Sequence, residues 1–284
     1  MGEYALRISN LTKKYGDFSL DDLNLVLPQG CIMGLIGENG AGKSTTVKAI
    51  MGAIHPDGGK IEVLGCDIRT PAFTQVKEQI GLVMDESCFP EMLNIRQVNK
   101  VMKNIYTGWE EETFFYYINR FQLPEKKPFK SFSRGMKMKL SIAAALSHGA
   151  KILVLDEATS GLDPIVRDEI LNIFNEFTRE EDHSVLISSH IVSDLEKICD
   201  YIAFIHKGRL LFCEEKDTLL EEYGILKTTV TEFEKIAQSG VIASRNTGYG
   251  VEAIVRRDSV PAGTLLEKAG IESIMVAMAK EAAR

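Results

Sequence analysis

One stretch, Gly37 to Thr45, carries the clearest chemistry of this chain. Its glycines let the backbone curl with N–H groups pointing at a polyphosphate, and a helix-like segment follows whose N-terminus favours the same anion. Lys43 is placed to reach the β- and γ-phosphates, and the Ser44 hydroxyl can take one position on Mg²⁺. A chance match is the alternative. The residues predicted to touch nucleotide are Gly37, Glu38, Asn39, Gly40, Ala41, Gly42, Lys43, Ser44 and Thr45.

Two carboxylates end a second apolar run, Ile152 to Leu155. An unpaired charge beside an apolar core costs free energy, so we expect Asp156 and Glu157 to have a function that requires them at this position. Side chains alternate along a strand, which predicts that the two point to opposite sides. We expect Asp156 to bind Mg²⁺ through water and Glu157 to polarise a water that attacks the γ-phosphate. The alternative is a pair of solvated acids at a strand end.

The elements that must position these residues alternate between strands and helices. Four segments show this alternation: strand-like 151–157, helix-like 165–177, strand-like 184–190 and helix-like 191–199. Strands that alternate with helices in this way predict a parallel sheet with ligands at the carboxyl ends of its strands. Lys43, Asp156 and His190 are all expected at that edge. Tyr201 to His206 and Arg209 to Phe212 are predicted to form a hairpin.

The first part of the chain predicts antiparallel strands over Tyr4–Ile8 and Phe18–Leu27. Tyr15 lies in the turn between them, where it is either a surface packing residue or a flat face for a purine base. From Asn94 to about Pro128 the pattern is helical and aromatic. That aromatic cluster is either core or a groove that accepts a partner's helix.

Composition narrows the functional classes. The chain has 284 residues, a net charge of −7 and no Lys/Arg-rich block. These features argue against non-specific nucleic-acid binding, which needs a basic surface. No run approaches the roughly eighteen apolar residues of a membrane span, and the first residues have no signal pattern, so we expect any membrane role to need another chain. The five cysteines include no CxxC pair and are expected to be reduced, as in a cytosolic protein.

Beyond Tyr223 the motifs stop, and we expect a small α+β appendage. Its predicted strands are Val251–Arg257 and Ile274–Val276, and its predicted helices are Glu232–Gln238 and Thr264–Ala269. The predicted division is therefore residues 1–222 for the nucleotide-binding domain, with a helical part at about 90–148, and residues 223–284 for an accessory domain.

With these motifs in order, residues 1 to about 220 closely resemble the ATP-binding subunit of an ABC transporter. Gly37–Thr45 is similar to the Walker A motif, Ile152–Asp156 to Walker B and Ser160–Asp163 to the D-loop. The resemblance implies an α/β P-loop ABC ATPase fold with a RecA-like core, an N-terminal antiparallel β subdomain and an inserted helical subdomain. It implies ATP and Mg²⁺ as cofactors.

The resemblance also assigns roles to single residues. Glu157 matches the catalytic glutamate, His190 the switch histidine that contacts the γ-phosphate, and Tyr15 the aromatic that stacks on adenine. Phe132–Met136 occupies the place of the Leu-Ser-Gly-Gly-Gln signature. This implies a head-to-tail dimer, either homodimer or heterodimer. In it Ser133 and Gly135 of one subunit close on the γ-phosphate held by Lys43 of the other.

Three positions depart from the family pattern. Arg134 replaces the first glycine of the signature and Met136 its glutamine, and Asp85 stands where a Q-loop glutamine is usual. A carboxylate is a stronger ligand for a hard cation, yet its charge repels a triphosphate. Asp85 is therefore predicted as a metal ligand if it reaches Mg²⁺, and as a source of repulsion if it does not. The adjacent Glu86 could serve instead.

The signature sequence and the C-terminal extension resemble those of the bacterial ABC-2-type exporters. Within that branch, the chain resembles exporters of antimicrobial peptides or of peptide toxins such as phenol-soluble modulins. This resemblance implies an ATPase on the cytoplasmic face of the cell membrane that powers export through a separate permease chain, with no nucleic-acid partner. The competing functions are a soluble ABC ATPase that acts on the ribosome or DNA, and a P-loop kinase or switch GTPase. The signature and His190 oppose the latter.

Overall fold

The computed structural model describes residues 4–85, 89–236, 240–261 and 263–282. Over these ranges the chain forms three β-sheets with helices packed between and around them. Glu86 and Cys88 lie outside the described residues, and the four described cysteines are free thiols, as expected.

The first sheet is antiparallel and has the strand order β2-β1-β4-β5. Its strands are β1 (Tyr4–Lys14), β2 (Ser19–Pro28), β4 (Gly58–Val63) and β5 (Cys66–Asp67). Alternating apolar residues such as Leu6 and Ile8 are fully buried on one side, as one-sided antiparallel strands require. The predicted antiparallel N-terminal strands are therefore confirmed.

The central sheet has the order β10-β9-β3-β8-β7-β6. Its strands are β3 (Ile32–Ile36), β6 (Ile80–Val83), β7 (Ile152–Asp156), β8 (Ser184–Ser189), β9 (Tyr201–His206) and β10 (Arg209–Glu215). All neighbouring pairs are parallel except the β9–β10 hairpin. Every residue of β3, β7 and β8 is buried, which explains their unbroken apolar runs. The predicted parallel sheet is confirmed.

Both faces of this sheet contribute to the core. Along β3, Ile32 and Ile36 pack into one apolar cluster, whereas Met33 and Leu35 pack into the other. The cluster with Met33 also contains the first sheet, and the cluster with Ile32 contains the helical block. The nucleotide loop and the carboxylate strand are thus fixed from two sides.

The helices in the described ranges are α1 (Lys43–Ile50), α2 (Phe73–Val76), α3 (Ile95–Ile105), α4 (Glu111–Arg120), α5 (Arg134–Ala145), α6 (Pro164–Phe177), α7 (Val192–Ile198), α8 (Lys216–Glu222), α9 (Val230–Phe233) and α10 (Ile271–Ala282). Several start at side-chain caps, which satisfy the free N–H groups of a first turn. Asn94 and Gln97 form a capping box at α3, and Asp163 caps α6. Among these helices none is long and apolar enough to cross a membrane.

Most of the aromatic cluster is core. Phe114 and Phe121 are buried, and they join the apolar cluster that also contains Ile118. Tyr116 differs because its side chain is 57% exposed. The core interpretation therefore holds for most of the cluster, while Tyr116 stays on the surface.

The third sheet starts at Tyr223 and has the order β12-β13-β11-β14. Its strands are β11 (Tyr223–Thr228), β12 (Val241–Thr247), β13 (Gly250–Arg256) and β14 (Leu266–Lys268). With α10 they form the expected α+β appendage. The division at residue 222 stays a prediction, because Ile271 and Ile274 are fully buried in the same apolar cluster as β8.

Two element predictions in this segment are wrong. Ile274–Val276 lies within α10 and is not a strand. The prediction failed because three residues are too few to show a helical period of 3.6 residues, which appears only when Ile271 is considered together with Ile274 and Met275. Thr264–Ala269 is not a helix. Its residue Leu266 lies in β14 and pairs with Leu226 of β11, so strand pairing overrides the local helix propensity. The Glu232–Gln238 prediction matches only α9, and Gln238 lies outside the described residues.

Candidate active site

A cleft of about 640 Å³ opens at the carboxyl ends of β3, β7 and β8. It is lined by Phe18, Glu38, Asn39, Gly40, Gly42, Lys43, Ser44, Thr45, Asp85, Arg134, Glu157, Ser160 and His190. The predicted nucleotide loop, the predicted base and the predicted switch histidine therefore meet in one place.

The loop between β3 and α1 has its shape because of glycine. Gly42 caps α1 with φ of 119°, and a Cβ built there would lie 2.5 Å from Leu20 Cδ2, so a side chain is excluded. Lys43 opens α1 and its Nζ donates to Gly37 O at 2.7 Å and Glu38 O at 3.2 Å. The ammonium is thus held against the loop that is predicted to bind phosphates.

Asp156 ends β7 and is buried beneath the cleft. The Ser188 Oγ of the neighbouring strand β8 donates to Asp156 Oδ1 at 2.5 Å. A buried carboxylate with a charge-assisted hydrogen bond keeps a fixed orientation. Asp156 is therefore fixed at the end of β7, but it is not among the residues that line the cleft.

Glu157 has a left-handed backbone, with φ of 53°. This conformation is uncommon for a residue with a Cβ and is found at functional sites. It is held by the Glu157 N–H, which donates to Ser188 O at 3.0 Å. The carboxylate then faces the cleft, where Oε1 lies 3.4 Å from Lys43 Nζ and Oε2 lies 2.7 Å from His190 Nδ1. Asp156 is buried and Glu157 lines the cleft, but strand alternation does not separate them as predicted, because β7 ends at Asp156 and Glu157 has a left-handed backbone.

The aromatic residues of the β1–β2 turn lie at the entrance to the cleft. The rings of Tyr15 and Phe18 stack with centroids 6.5 Å apart and planes at 27°. Phe18 lines the cleft, Tyr15 is exposed, and Lys13 Nζ lies 5.5 Å from the Tyr15 ring centroid. Two aromatic faces are therefore available to a base.

The signature segment splits between the cleft and the surface. Ser133 caps α5, where its hydroxyl accepts from Met136 N at 3.3 Å. In the described part of the chain, the lining of this cleft includes Arg134 but neither Ser133 nor Gly135. These two predicted ligands are not brought to the nucleotide loop of their own chain.

Two site residues, Phe18 and Ser188, were missed by the sequence reasoning, and Ser160 and Arg134 were noted only as parts of the D-loop and of the signature. Ser188 is placed by the order of the strands, because β8 lies between β3 and β7. The signal for it was a polar Ser-Ser-His ending on an apolar strand. Nothing in the sequence pairs Ser188 with Asp156, which is 32 positions away.

Known proteins of one family match this chain. The ABC transporter family model matches residues 20–160. The lantibiotic transport ATP-binding protein SrtF of Streptococcus pyogenes is 36% identical over 215 residues, which are 75% of this chain and 91% of that protein. This chain belongs to the ATP-binding subunits of ABC transporters. It is an ATP-binding protein and an ATPase, as its resemblance predicted.

Other ATP-binding proteins of ABC transporters are also similar to this chain. The bacitracin transport ATP-binding protein BcrA of Bacillus licheniformis is 36% identical over 213 residues, 72% of this chain and 68% of that protein. YhcH of Bacillus subtilis, an uncharacterised ABC transporter ATP-binding protein, is 30% identical over 271 residues, 91% of this chain and 86% of that protein. A solved ATP-binding subunit of an ABC transporter superposes with a TM-score of 0.68 at 27% identity, covering 76% of this ABC ATPase and 91% of that chain.

Proposed function

We propose that this ABC ATPase hydrolyses ATP to drive export of an amphipathic peptide or peptide antibiotic through a separate membrane permease. The observation that carries the substrate class is the similarity to SrtF over 91% of that protein, together with the match to BcrA. Those proteins are named for lantibiotic and bacitracin transport. The export direction and the permease rest on the family branch that the signature resembles.

Hydrolysis is assigned to three side chains of the cleft. Lys43 exchanges its loop carbonyls for the β- and γ-phosphates, which are stronger acceptors for an ammonium. Glu157 then loses its cationic neighbour and accepts a proton from the attacking water, while His190 holds its Oε2. Tyr15 stacks on adenine in this scheme, and the loop residues 37–45 surround the phosphates.

Mg²⁺ fits the donors present. The Ser44 hydroxyl, the Asp156 carboxylate and the Asp85 carboxylate are all hard oxygen ligands, which Mg²⁺ prefers. When bound, Mg²⁺ would neutralise charge that develops on the phosphates. Asp85 Oδ1 lies 2.5 Å from Arg134 Nη2, and the Asp85 carboxylate would hold the metal beside that ion pair.

We propose a head-to-tail dimer of two such subunits, identical or different. Ser133 and Gly135 lie outside the cleft of their own chain, which supports a role for them at a partner's nucleotide. A serine hydroxyl and the N-terminus of α5 offer donors to an anion. In this arrangement the Ser133 hydroxyl can keep accepting from Met136 N while its O–H donates to a γ-phosphate oxygen.

The proposed permease contact is on the helical block, and it holds the subunit at the inner face of the cell membrane. Val101 and Ile105 follow each other by one turn on α3 and are 41% and 60% exposed. Tyr116 on α4 adds an exposed aromatic ring. Exposed apolar side chains of this kind are suited to receive the apolar face of a partner helix.

A resistance assay tests the proposed function. Cells that carry this chain and its permease are exposed to bacitracin, a lantibiotic and an amphipathic peptide, with the wild type compared with Glu157→Gln. We expect the variant to lose resistance to at least one of them. Equal sensitivity to all three would contradict the substrate class, and co-sedimentation with ribosomes instead of a membrane chain would favour the soluble alternative.

A further inference from the structure

A buried ion pair joins the helix that follows the D-loop to the helix that follows His190. Arg167 is the fourth residue of α6, which begins directly after the D-loop segment Ser160–Asp163. Asp194 is the third residue of α7. Arg167 Nε lies 3.6 Å from Asp194 Oδ2, and both side chains are largely removed from water, that of Asp194 almost completely.

The two facing atoms of this buried ion pair lack hydrogen bonds. A separation of 3.6 Å is too long for one. Within the described part of the chain neither Arg167 Nε nor Asp194 Oδ2 has a hydrogen-bond partner, although both atoms are buried. Buried polar atoms are nearly always hydrogen-bonded, so an exception needs an explanation. Stability does not supply one, because the cost of desolvating two charges offsets most of their attraction.

The same guanidinium holds the backbone of the D-loop. Arg167 Nη2 donates to Leu162 O at 3.1 Å, and the Leu162 side chain is buried. At the other end of the D-loop, the Ser160 N–H donates to Glu157 O at 3.0 Å. Arg167 therefore connects Asp194 to the segment that begins at the proposed base.

Asp194 is connected to the same base through α7. The Asp194 N–H donates to Ile191 O at 3.2 Å, within the first turn of this helix. Ile191 follows His190, whose Nδ1 lies 2.7 Å from Glu157 Oε2. The contacts thus form a closed ring, which leaves Glu157 at His190, crosses from α7 to α6 at the buried ion pair and returns along the D-loop.

We propose that Arg167 and Asp194 are positioning residues for ATP hydrolysis. By fixing α7 relative to the D-loop, they keep His190 against Glu157, so their role depends on the function proposed for those two side chains. In the described part of the chain, neither Arg167 nor Asp194 lines the nucleotide cleft. A guanidinium suits this role because its rigid fork of donors can face a carbonyl and a carboxylate at once.

The test removes both charges together. A single change leaves one buried charge without its partner and destabilises the fold, whereas replacing both members with apolar residues of similar size can be neutral. The apolar double variant, Arg167→Met/Asp194→Leu, should therefore unfold at a higher temperature than either single variant. Its ATP dissociation constant should stay at the wild-type value. Its kcat for ATP hydrolysis should fall by about 10- to 100-fold, because a misplaced catalytic group lowers the rate by that order.

The chain offers a matched control between the same two helices. Lys197 Nζ and Asp168 Oδ1 are also 3.6 Å apart, but both side chains are exposed. Lys197→Gln/Asp168→Asn should leave kcat unchanged, since exposed ion pairs contribute little. Arg167→Lys is the conservative variant. It keeps the positive charge without the fork, so its kcat should lie between those of the wild type and the apolar double variant.

A further comparison tests whether the buried ion pair acts through His190. In a His190→Gln background, the two apolar substitutions should lower kcat by a smaller factor than in the wild type, because the group that they misplace is already lost. Equal factors in the two backgrounds would overturn the positioning role. So would a wild-type kcat in the folded apolar double variant, or a fall in kcat that only follows the unfolded fraction.

Failure of the proposed function gives a different result. A wild-type kcat in Glu157→Gln or in His190→Gln would contradict the hydrolytic roles of these side chains, and the positioning role with them. If both variants are impaired and the apolar double variant is not, only the positioning role is lost. Weaker ATP binding with an unchanged kcat in the apolar double variant would also overturn it, because the buried ion pair would then shape the nucleotide site instead.

Discussion

Lys43 and Glu157 form an ion pair at the floor of the nucleotide cleft, with Nζ and Oε1 3.4 Å apart and side chains only 5% and 14% exposed. The lysine is thus placed for phosphate while it restrains the carboxylate that is proposed to accept a proton. Binding of a polyphosphate would take the ammonium from Glu157. In the proposed mechanism, the pair would therefore link nucleotide binding to release of the base.

Glu157→Gln should keep ATP binding and lower hydrolysis by about 10²- to 10⁴-fold, because the amide preserves the shape of the side chain but cannot accept the proton. Steady-state ATPase rates and a binding titration measure the two effects. Glu125→Gln makes the same chemical change on the surface and serves as the control. Wild-type turnover in Glu157→Gln would mean that another residue activates the water.

Site features formed by one contiguous stretch of sequence were predictable, whereas contacts between residues far apart in the chain were not. The loop at Lys43 and the strand ending in Asp156 were predictable because each is one contiguous pattern, an apolar run followed by polar residues. The contact between Ser188 and Asp156 was not, because it depends on which strands are neighbours in the sheet. The pairing of Arg134 with Asp85 was also hidden, although each residue alone was recognised as a departure.

The tail shows the opposite difficulty. Its α+β class was predictable from its strand-like and helix-like segments, but α10 was taken in part for a strand. The helix is fixed by burial of Ile271 and Ile274 and by the Ile271 N–H, which donates to Glu196 Oε1 at 2.7 Å. These contacts belong to the packing of the tail on α7, which local sequence does not encode.

Val101→Glu should reduce co-purification with the permease while leaving the ATPase rate of the isolated chain within about twofold. Val101 is exposed on the proposed contact surface, and exposed substitutions away from special features change the free energy of unfolding by about 0.5 kcal/mol or less. The assay is co-expression with the candidate permease, followed by detergent extraction. Val230→Glu, at an exposed position in α9, controls for the added charge. Undiminished co-purification would place the contact elsewhere.

His148 should make the free energy of unfolding depend on pH. Its ring is buried, stacks on Tyr106 with centroids 4.1 Å apart and contacts Glu78 O through Nδ1 at 2.9 Å. Burial lowers the pKa of His148 below its ordinary value of 6.5, which outweighs the opposing effect of Glu78. The unfolded chain therefore binds the proton first as pH falls.

It follows that stability contributed by the neutral imidazole is present above about pH 6.5 and is lost as pH falls below it. Chemical denaturation at pH 7.5 and pH 5.5 should show a lower free energy of unfolding at the lower pH. The difference should shrink in His148→Gln. His55→Gln, at an exposed turn, should keep the wild-type difference. An unchanged pH dependence in His148→Gln would assign it to other groups.

Asp85→Asn should raise the Mg²⁺ concentration at half-maximal ATPase rate, because an amide oxygen is a weaker ligand for a hard cation than a carboxylate. Arg134→Gln should shift that midpoint the other way or leave it unchanged, since it frees Asp85 Oδ1 from its ion pair and leaves the carboxylate charge to the metal. Titrating Mg²⁺ at saturating ATP measures both, with Asp182→Asn as the surface control. If the midpoint is the same for wild type and Asp85→Asn, the metal contact of Asp85 is refuted.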